Sequence, residues 1–321
     1  MRALRPYLSV CRPDHWFKNV FMLAGTIAAV LHPQNGITVG LPLLLRTIEA
    51  FAISCLAASA NYVINEILDA DRDALHPTKR HRPVPSALVH VPILWGIAAG
   101  LAIVSLVWSW WSFSAPFTLS IAALLAQGFL YNVPPVRTKE VAYLDVVSES
   151  VNNPIRLLVG WYATGIRTPP PLSLFLGYWV FGGFLMSAKR FAEYRFLGDA
   201  VRAAAYRSSF RGYTEESLLI AMICYASLTT FFYGVLLVRY HLFDLFLSVP
   251  FMVAFLAWFF HLAFRPDSIV KEPERLYQAP AFATYCAFLF SLIVFLVAAD
   301  LSFLWEWLNE LRIGVPLPEP A

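Results

Sequence analysis

About nine stretches of this chain stay apolar for the ~20 residues that a helix needs to cross a bilayer, with short polar breaks between them. They run near 17–33, 41–65, 91–111, 116–132, 142–164, 171–188, 216–238, 243–264 and 280–304. Inside a bilayer every backbone polar group must be bonded within the protein, which restricts such a chain to spanning helices. The expected fold is therefore all-α, a polytopic membrane bundle of about nine transmembrane helices. A chain that is 59% hydrophobic and 14% charged is not disordered, and a net charge of +3 is too small to argue for nucleic-acid binding. No long linker or low-complexity tract interrupts the pattern, so residues 1–321 read as a single integral-membrane domain.

Orientation follows from the cations in the breaks. Of the 24 Lys and Arg, only Arg46, Arg167, Arg239 and Arg312 fall on one side, and only Arg156 lies within a span. All the others gather on the opposite side, which places the N-terminus and that side in the cytoplasm. Trp108, Trp110 and Trp111 at an outer break, and Trp305 and Trp307 at the last helix end, fit an outer aromatic belt. The first residues carry Arg2, Arg5, Arg12 and Lys18 and no small-residue cleavage site, so they do not read as a secretory signal. Cys11, Cys55, Cys224 and Cys286 are far apart and imply neither a disulfide framework nor a zinc site.

The informative minority is polar. The second span ends Asn65-Glu66-Ile67-Leu68-Asp69-Ala70-Asp71-Arg72-Asp73. At ~100° per residue, Asn65, Asp69 and Asp73 share one helix face and Asp71 points away. Three hard oxygen donors at a membrane mouth suit Mg²⁺, which keeps waters and bridges to substrate phosphates. A solvated helix end is the plainer explanation for these acids alone. The basic segment that follows, with Lys79, Arg80 and Arg82, changes the balance, because a diphosphate leaving group needs cations beside its metal.

The fifth span holds Asp145, Glu149, Asn152 and Arg156 within an arc of ~60°. Ionisable residues in a bilayer are costly and face an interior cavity, so this stripe reads as cavity lining or as a bundle-locking ion network. At the end of the sixth span Lys189 and Glu193 stand at i, i+4, and Tyr131, Arg137 and Lys139 flank a Pro-containing break. There is no H-E-x-x-H, G-x-S-x-G or P-loop pattern. The acids cluster at one mouth instead of spacing through the bilayer, which favours chemistry over conduction.

Together these residues resemble the UbiA-type intramembrane prenyltransferases. Asn65 to Asp73 is similar to their N-D-x-x-D-x-x-x-D signature, with Glu66 in place of the first Asp, and Tyr131 with Arg137 and Lys139 resembles their Tyr-plus-basic loop. Arg12-Pro13-Asp14-His15-Trp16-Phe17-Lys18-Asn19, the segment from His76 to Pro83, and Lys189-Arg190-Phe191-Ala192-Glu193 most resemble the decaprenyl-phosphate phosphoribosyltransferase branch. Where ordinary members carry a second D-x-x-x-D, this chain has Lys189-x-x-x-Glu193.

The resemblance implies a transferase in a bacterial-type inner membrane, serving cell-envelope precursor synthesis with its active site facing the cytoplasm. Mg²⁺ on Asn65, Asp69 and Asp73 would hold the diphosphate of phosphoribosyl pyrophosphate or another diphosphate donor, helped by Lys79, Arg80 and Arg82. Lys18, Arg137, Lys139 and Lys189 would cradle the phosphate of a polyprenyl phosphate. Lys189 and Glu193 join the metal ligands as catalytic candidates. Asp145 and Glu149 would meet the ribose hydroxyls, with Arg156 holding them, and Tyr131 and Asn152 complete the substrate-binding set.

Two alternatives stay open. Pro134-Pro135 looks more like prenyltransferases that move a prenyl chain to an aromatic or small acceptor, and a non-enzymatic lipid-binding or transport protein would also retain the fold. The oligomeric state is undetermined, a homo-oligomer included.

Overall fold

The computed structural model describes residues 4–32, 35–74, 79–271, 278–299 and 301. Among the described residues there are twelve α-helices, short 3-10 segments between them and no strand. In chain order they are α1 Arg5–Val10, α2 Leu23–Leu31, α3 Leu41–Ala74, α4 Val91–Ser112, α5 Ala115–Asn132, α6 Leu144–Ser150, α7 Asn152–Ala163, α8 Leu172–Leu197, α9 Ala200–Tyr206, α10 Glu215–Arg239, α11 Val249–Ala263 and α12 Pro280–Ala298.

Among the described residues six stretches are by themselves long and apolar enough to cross a membrane: α3, α4, α8, α10, Phe243–Ala263 with α11, and α12. The other three expected spans take different forms. In the first expected span, 17–33, the described residues form the end of a 3-10 run, Pro13–Met22, continued by the short α2. Residues 116–132 form α5, where Gln127 and Asn132 dilute the apolar content. The polar fifth span is broken into α6 and α7 at Val151. Pro154 explains the break, because its ring excludes the carbonyl four residues back and its missing N–H is tolerated only in a helix's first turn. Trp305, Trp307, Arg312, Arg2 and His76 lie outside the described residues.

Two large apolar cores, with smaller clusters around Val63 and Leu94 and around Leu237 and Leu296, hold the bundle together. One joins α2, α3, α5 and α7 through residues such as Met22, Ile53, Phe117, Ile121 and Val159. The other joins α8, α10, α11 and α12 through Phe184, Phe191, Leu218, Phe259 and Phe282. Where α2 crosses α7 the backbones touch: a Cβ on Gly160 would lie 1.8 Å from the Met22 carbonyl oxygen, and one on Gly25 1.9 Å from that of Leu157. Thr26 donates to the Gly160 carbonyl at 3.0 Å, the close small-residue contact that membrane helices favour. Outward faces leave Trp110, Trp111, Ile103, Phe231 and Phe295 exposed, the chemistry of a surface that meets acyl chains.

At 34 residues α3 is ~50 Å long, well beyond a ~30 Å hydrocarbon core. Its last turns therefore carry Asn65 to Asp73 out to the charged end of the bundle. α6 and the end of α8 reach the same end from the second core.

Candidate active site

Asp69 is held from two directions. Arg137 Nη2 donates to Oδ1 at 2.6 Å, and Lys139 Nζ donates to both oxygens at 2.8 and 2.7 Å. Lys139 also donates to Asn132 Oδ1 at 2.9 Å, and the Asn65 amide nitrogen bonds the same oxygen. One turn on, Asp73 pairs with Arg82 at 2.5 Å and with Lys79 at 4.0 Å. The face expected from helical spacing is thus lined by four cations from two loops. Asp71 is exposed, and of the three cations expected beside the donor, Lys79 and Arg82 reach Asp73, whereas Arg80 is exposed with its Nε 3.3 Å from His81.

The loop bearing Lys139 is held in a demanding conformation. Arg137 at φ +30° and Tyr143 at φ +66° are non-glycine residues in the left-handed region, and they bracket it. Such conformations persist where surrounding bonds over-determine them. Here Arg137 is tied to Asp69, and Thr138 donates to Ser148 Oγ at 2.8 Å. The Tyr143 N–H donates to the Tyr213 hydroxyl at 2.5 Å. Burial pushes the Lys139 ammonium down to about 8, against the pull of Asp69.

Glu66 stands at the position of the family signature's first Asp but turns the other way. It is buried, accepts from Arg12 Nη2 at 3.4 Å and from the Val84 N–H at 3.3 Å. Glu66 therefore docks the N-terminal segment and the loop after α3, leaving the donor face to Asn65, Asp69 and Asp73.

The second half of the site centres on Arg190, a residue to which the sequence assigns no role of its own. Arg190 is 1% exposed and reaches three carboxylates: Nε to Asp145 at 2.9 Å, Nη2 to Glu149 at 2.7 Å and Nη1 to Glu193 at 3.2 Å. Lys189 is half-buried beside it, and with Lys18 and Arg207 lies close enough to act on the charge of Glu149. The expectation that Arg156 holds Asp145 and Glu149 is corrected: Arg156 Nε donates to Asn19 Oδ1 at 3.0 Å, and Arg190 does the holding. The i, i+3 relation of Arg190 to Glu193, in line with the small residues Gly183 and Ser187, is the signal that marks Arg190 over Lys189.

Asp145 and Glu149 also separate. Asp145 is fully enclosed and accepts further bonds from Ser209 Oγ at 3.1 Å and Tyr213 Oη at 2.7 Å, so it is not free to meet a sugar hydroxyl. Glu149 keeps 30% of its side chain open and accepts from Tyr131 Oη at 2.9 Å. Asn152 donates to the Glu149 carbonyl at 3.0 Å.

The donor set on α3 suits a hard divalent ion: two carboxylates and an amide oxygen one and two turns apart. Among the described residues no three His, Cys, Asp or Glu side chains gather into a metal cage. An ion there would take few protein ligands and fill its shell with phosphate oxygens and water, the habit of Mg²⁺.

The chain is similar to known proteins in sequence and in fold. The chain is 34% identical over 231 residues to decaprenyl-phosphate phosphoribosyltransferase of Mycolicibacterium smegmatis, spanning 71% of this chain and 68% of that one. It is 32% identical over 227 residues to the protein of that name in Mycobacterium tuberculosis, spanning 70% of each. Its fold matches a UbiA homologue of Archaeoglobus fulgidus solved with GPP and Mg²⁺, at a TM-score of 0.65, 16% identity, and 90% and 99% coverage of the two chains. The profile of the UbiA prenyltransferase family matches residues 20–282, a span that takes in the Asn65 to Asp73 helix end and the Arg190 hub, and the chain belongs to that family.

Proposed function

We propose that this protein transfers 5-phosphoribose from phosphoribosyl pyrophosphate to a polyprenyl phosphate, at a mouth open to the cytoplasm. The observation that carries this reading is the charge of the mouth. Arg190 fills the middle of the second acidic cluster, and Lys18, Lys79, Arg82, Arg137, Lys139, Lys189 and Arg207 surround the two halves. Two anionic substrates at once require such an excess of cations, whereas a prenyl diphosphate with a neutral acceptor does not. The names of the relatives point to the same reaction, and the concentration of Lys and Arg at this end supports its cytoplasmic orientation.

Asn65, Asp69 and Asp73 would hold Mg²⁺, which when bound supplies positive charge to the diphosphate. The chain's own residues do the rest. Arg137 and Lys139, now satisfied by Asp69, and Arg82 and Lys79, now beside Asp73, stand where they neutralise the departing diphosphate as the bond to ribose C1 breaks. Glu149, oriented by Tyr131 and Arg190, offers its open oxygen edge to the ribose hydroxyls. Asp145 positions Arg190 and does not touch the sugar. The acceptor phosphate is already ionised, so its oxygen attacks C1 without a strong general base. Lys18 and Lys189 hold that phosphate, and the lipid tail lies along the exposed apolar helices.

Ligand-dependent unfolding in detergent tests this donor preference. With Mg²⁺ present, phosphoribosyl pyrophosphate at about 100 times its Kd is expected to add ~2.7 kcal/mol of stability, a rise of several degrees in Tm. EDTA should remove the rise, and geranyl diphosphate should give less than a third of it. Stabilisation by geranyl diphosphate with none from phosphoribosyl pyrophosphate would overturn the reading in favour of prenyl transfer.

A further inference from the structure

Arg207 lies just before the 3-10 segment Ser208–Gly212, outside every motif that marks the site, yet it points into the same mouth. Tyr131, Glu149, Arg190 and Glu193 all act on its charge, and Lys79 from the loop after α3 is near enough to feel it. Its side chain is 23% exposed, so a small anion can reach it. Among the described residues its buried Nε has no hydrogen-bond partner. The carboxylate it faces, Glu193, is 3.9 Å away and already accepts from Arg190 at 3.2 Å.

A buried guanidinium N–H without an acceptor is costly, and a second guanidinium beside Arg190 adds like-charge repulsion. An anion between these groups removes both costs. A phosphate matches the forked donors of arginine, and a point charge such as Lys79 complements them. We propose that Arg207 forms a phosphomonoester subsite beside the diphosphate cradle at Asp69 and Asp73, with Lys79 at the edge that the two share.

For the source of the phosphate this proposal rests on the transfer reading above. The ribose C5 phosphate of the donor and the phosphate of the lipid acceptor are both monoesters, and a prenyl diphosphate carries neither. Arg207 would then separate substrates of this chain from those of ordinary prenyl transfer.

Steady-state kinetics of the full chain in detergent, with donor and acceptor varied separately, test the subsite. Arg207→Ala is expected to raise KM for one substrate about tenfold to a hundredfold, with kcat within about threefold and Arg207→Lys intermediate. A shift in KM for phosphoribosyl pyrophosphate assigns the C5 phosphate, and a shift for decaprenyl phosphate assigns the lipid phosphate. A second arm needs no turnover: calorimetric binding of ribose 5-phosphate and of farnesyl phosphate, where Arg207→Ala should weaken the corresponding probe to the same degree. Both KM values and both probe affinities within about twofold of wild type, or a loss confined to kcat, would overturn the subsite. Unfolding midpoints accompany each variant, and Arg207→Lys carries the comparison if the alanine variant does not fold. A wild type that binds a probe through Arg207 but forms no phosphoribosyl lipid would refute the reaction and keep the subsite. Normal transfer unaffected by Arg207→Ala would do the reverse.

Discussion

Asp69→Ala is expected to lower Mg²⁺-supported turnover by about a thousandfold or more while the bundle stays folded. Asp69 is the middle member of the donor face on α3, and removing it takes one of only two carboxylates from a divalent ion whose charge the diphosphate requires. The same change strips Arg137 and Lys139 of the carboxylate that aims them, so two leaving-group ligands lose their orientation together. Asp73→Ala should act alike, through Arg82 and Lys79. Asp71→Ala, on the exposed side of the helix, should leave the rate within twofold and serves as the control. Rates of labelled lipid formation, read beside thermal unfolding, check the set. A non-enzymatic lipid-binding protein would show no dependence on either acid.

Arg190→Met should instead act on the fold. Three carboxylates converge on a guanidinium that is 1% exposed, and Asp145 itself is sealed from solvent. Breaking a buried pair by removing one partner costs ~3–5 kcal/mol, because the remaining charge is left without compensation. For a chain of this size that corresponds to a Tm lower by about 4–7 °C. Asp145→Asn added to Arg190→Met should recover part of the loss, since it removes one of the stranded charges. An Arg190→Met protein that unfolds at the wild-type temperature would show that the three ion pairs hold nothing together.

The helical fold and the acidic face were legible in the sequence for a simple reason. An apolar run of ~20 residues is a local property of the chain, and a face of residues at i, i+4 and i+8 survives whatever packs against it. The break at Val151 was less legible, since a polar stripe fits equally a continuous helix and two short ones until Pro154 is weighed. Arg190 was missed in favour of its neighbour Lys189, because rotation by ~100° decides which of two adjacent cations enters the core, and that rotation is set by contacts with α6. Helical spacing points Arg156 at the carboxylates of its own stripe, whereas Asn19, 137 residues earlier, takes it. Arg207 carried no local signal at all. Its place depends on how the segment after α8 folds back over the mouth, a tertiary fact with no short-range trace.

The most direct test of the account is transfer itself. Purified protein with Mg²⁺, labelled phosphoribosyl pyrophosphate and decaprenyl phosphate should form a labelled lipid, and EDTA should stop it. No labelled lipid, together with product from a prenyl diphosphate and an aromatic acceptor, would contradict it.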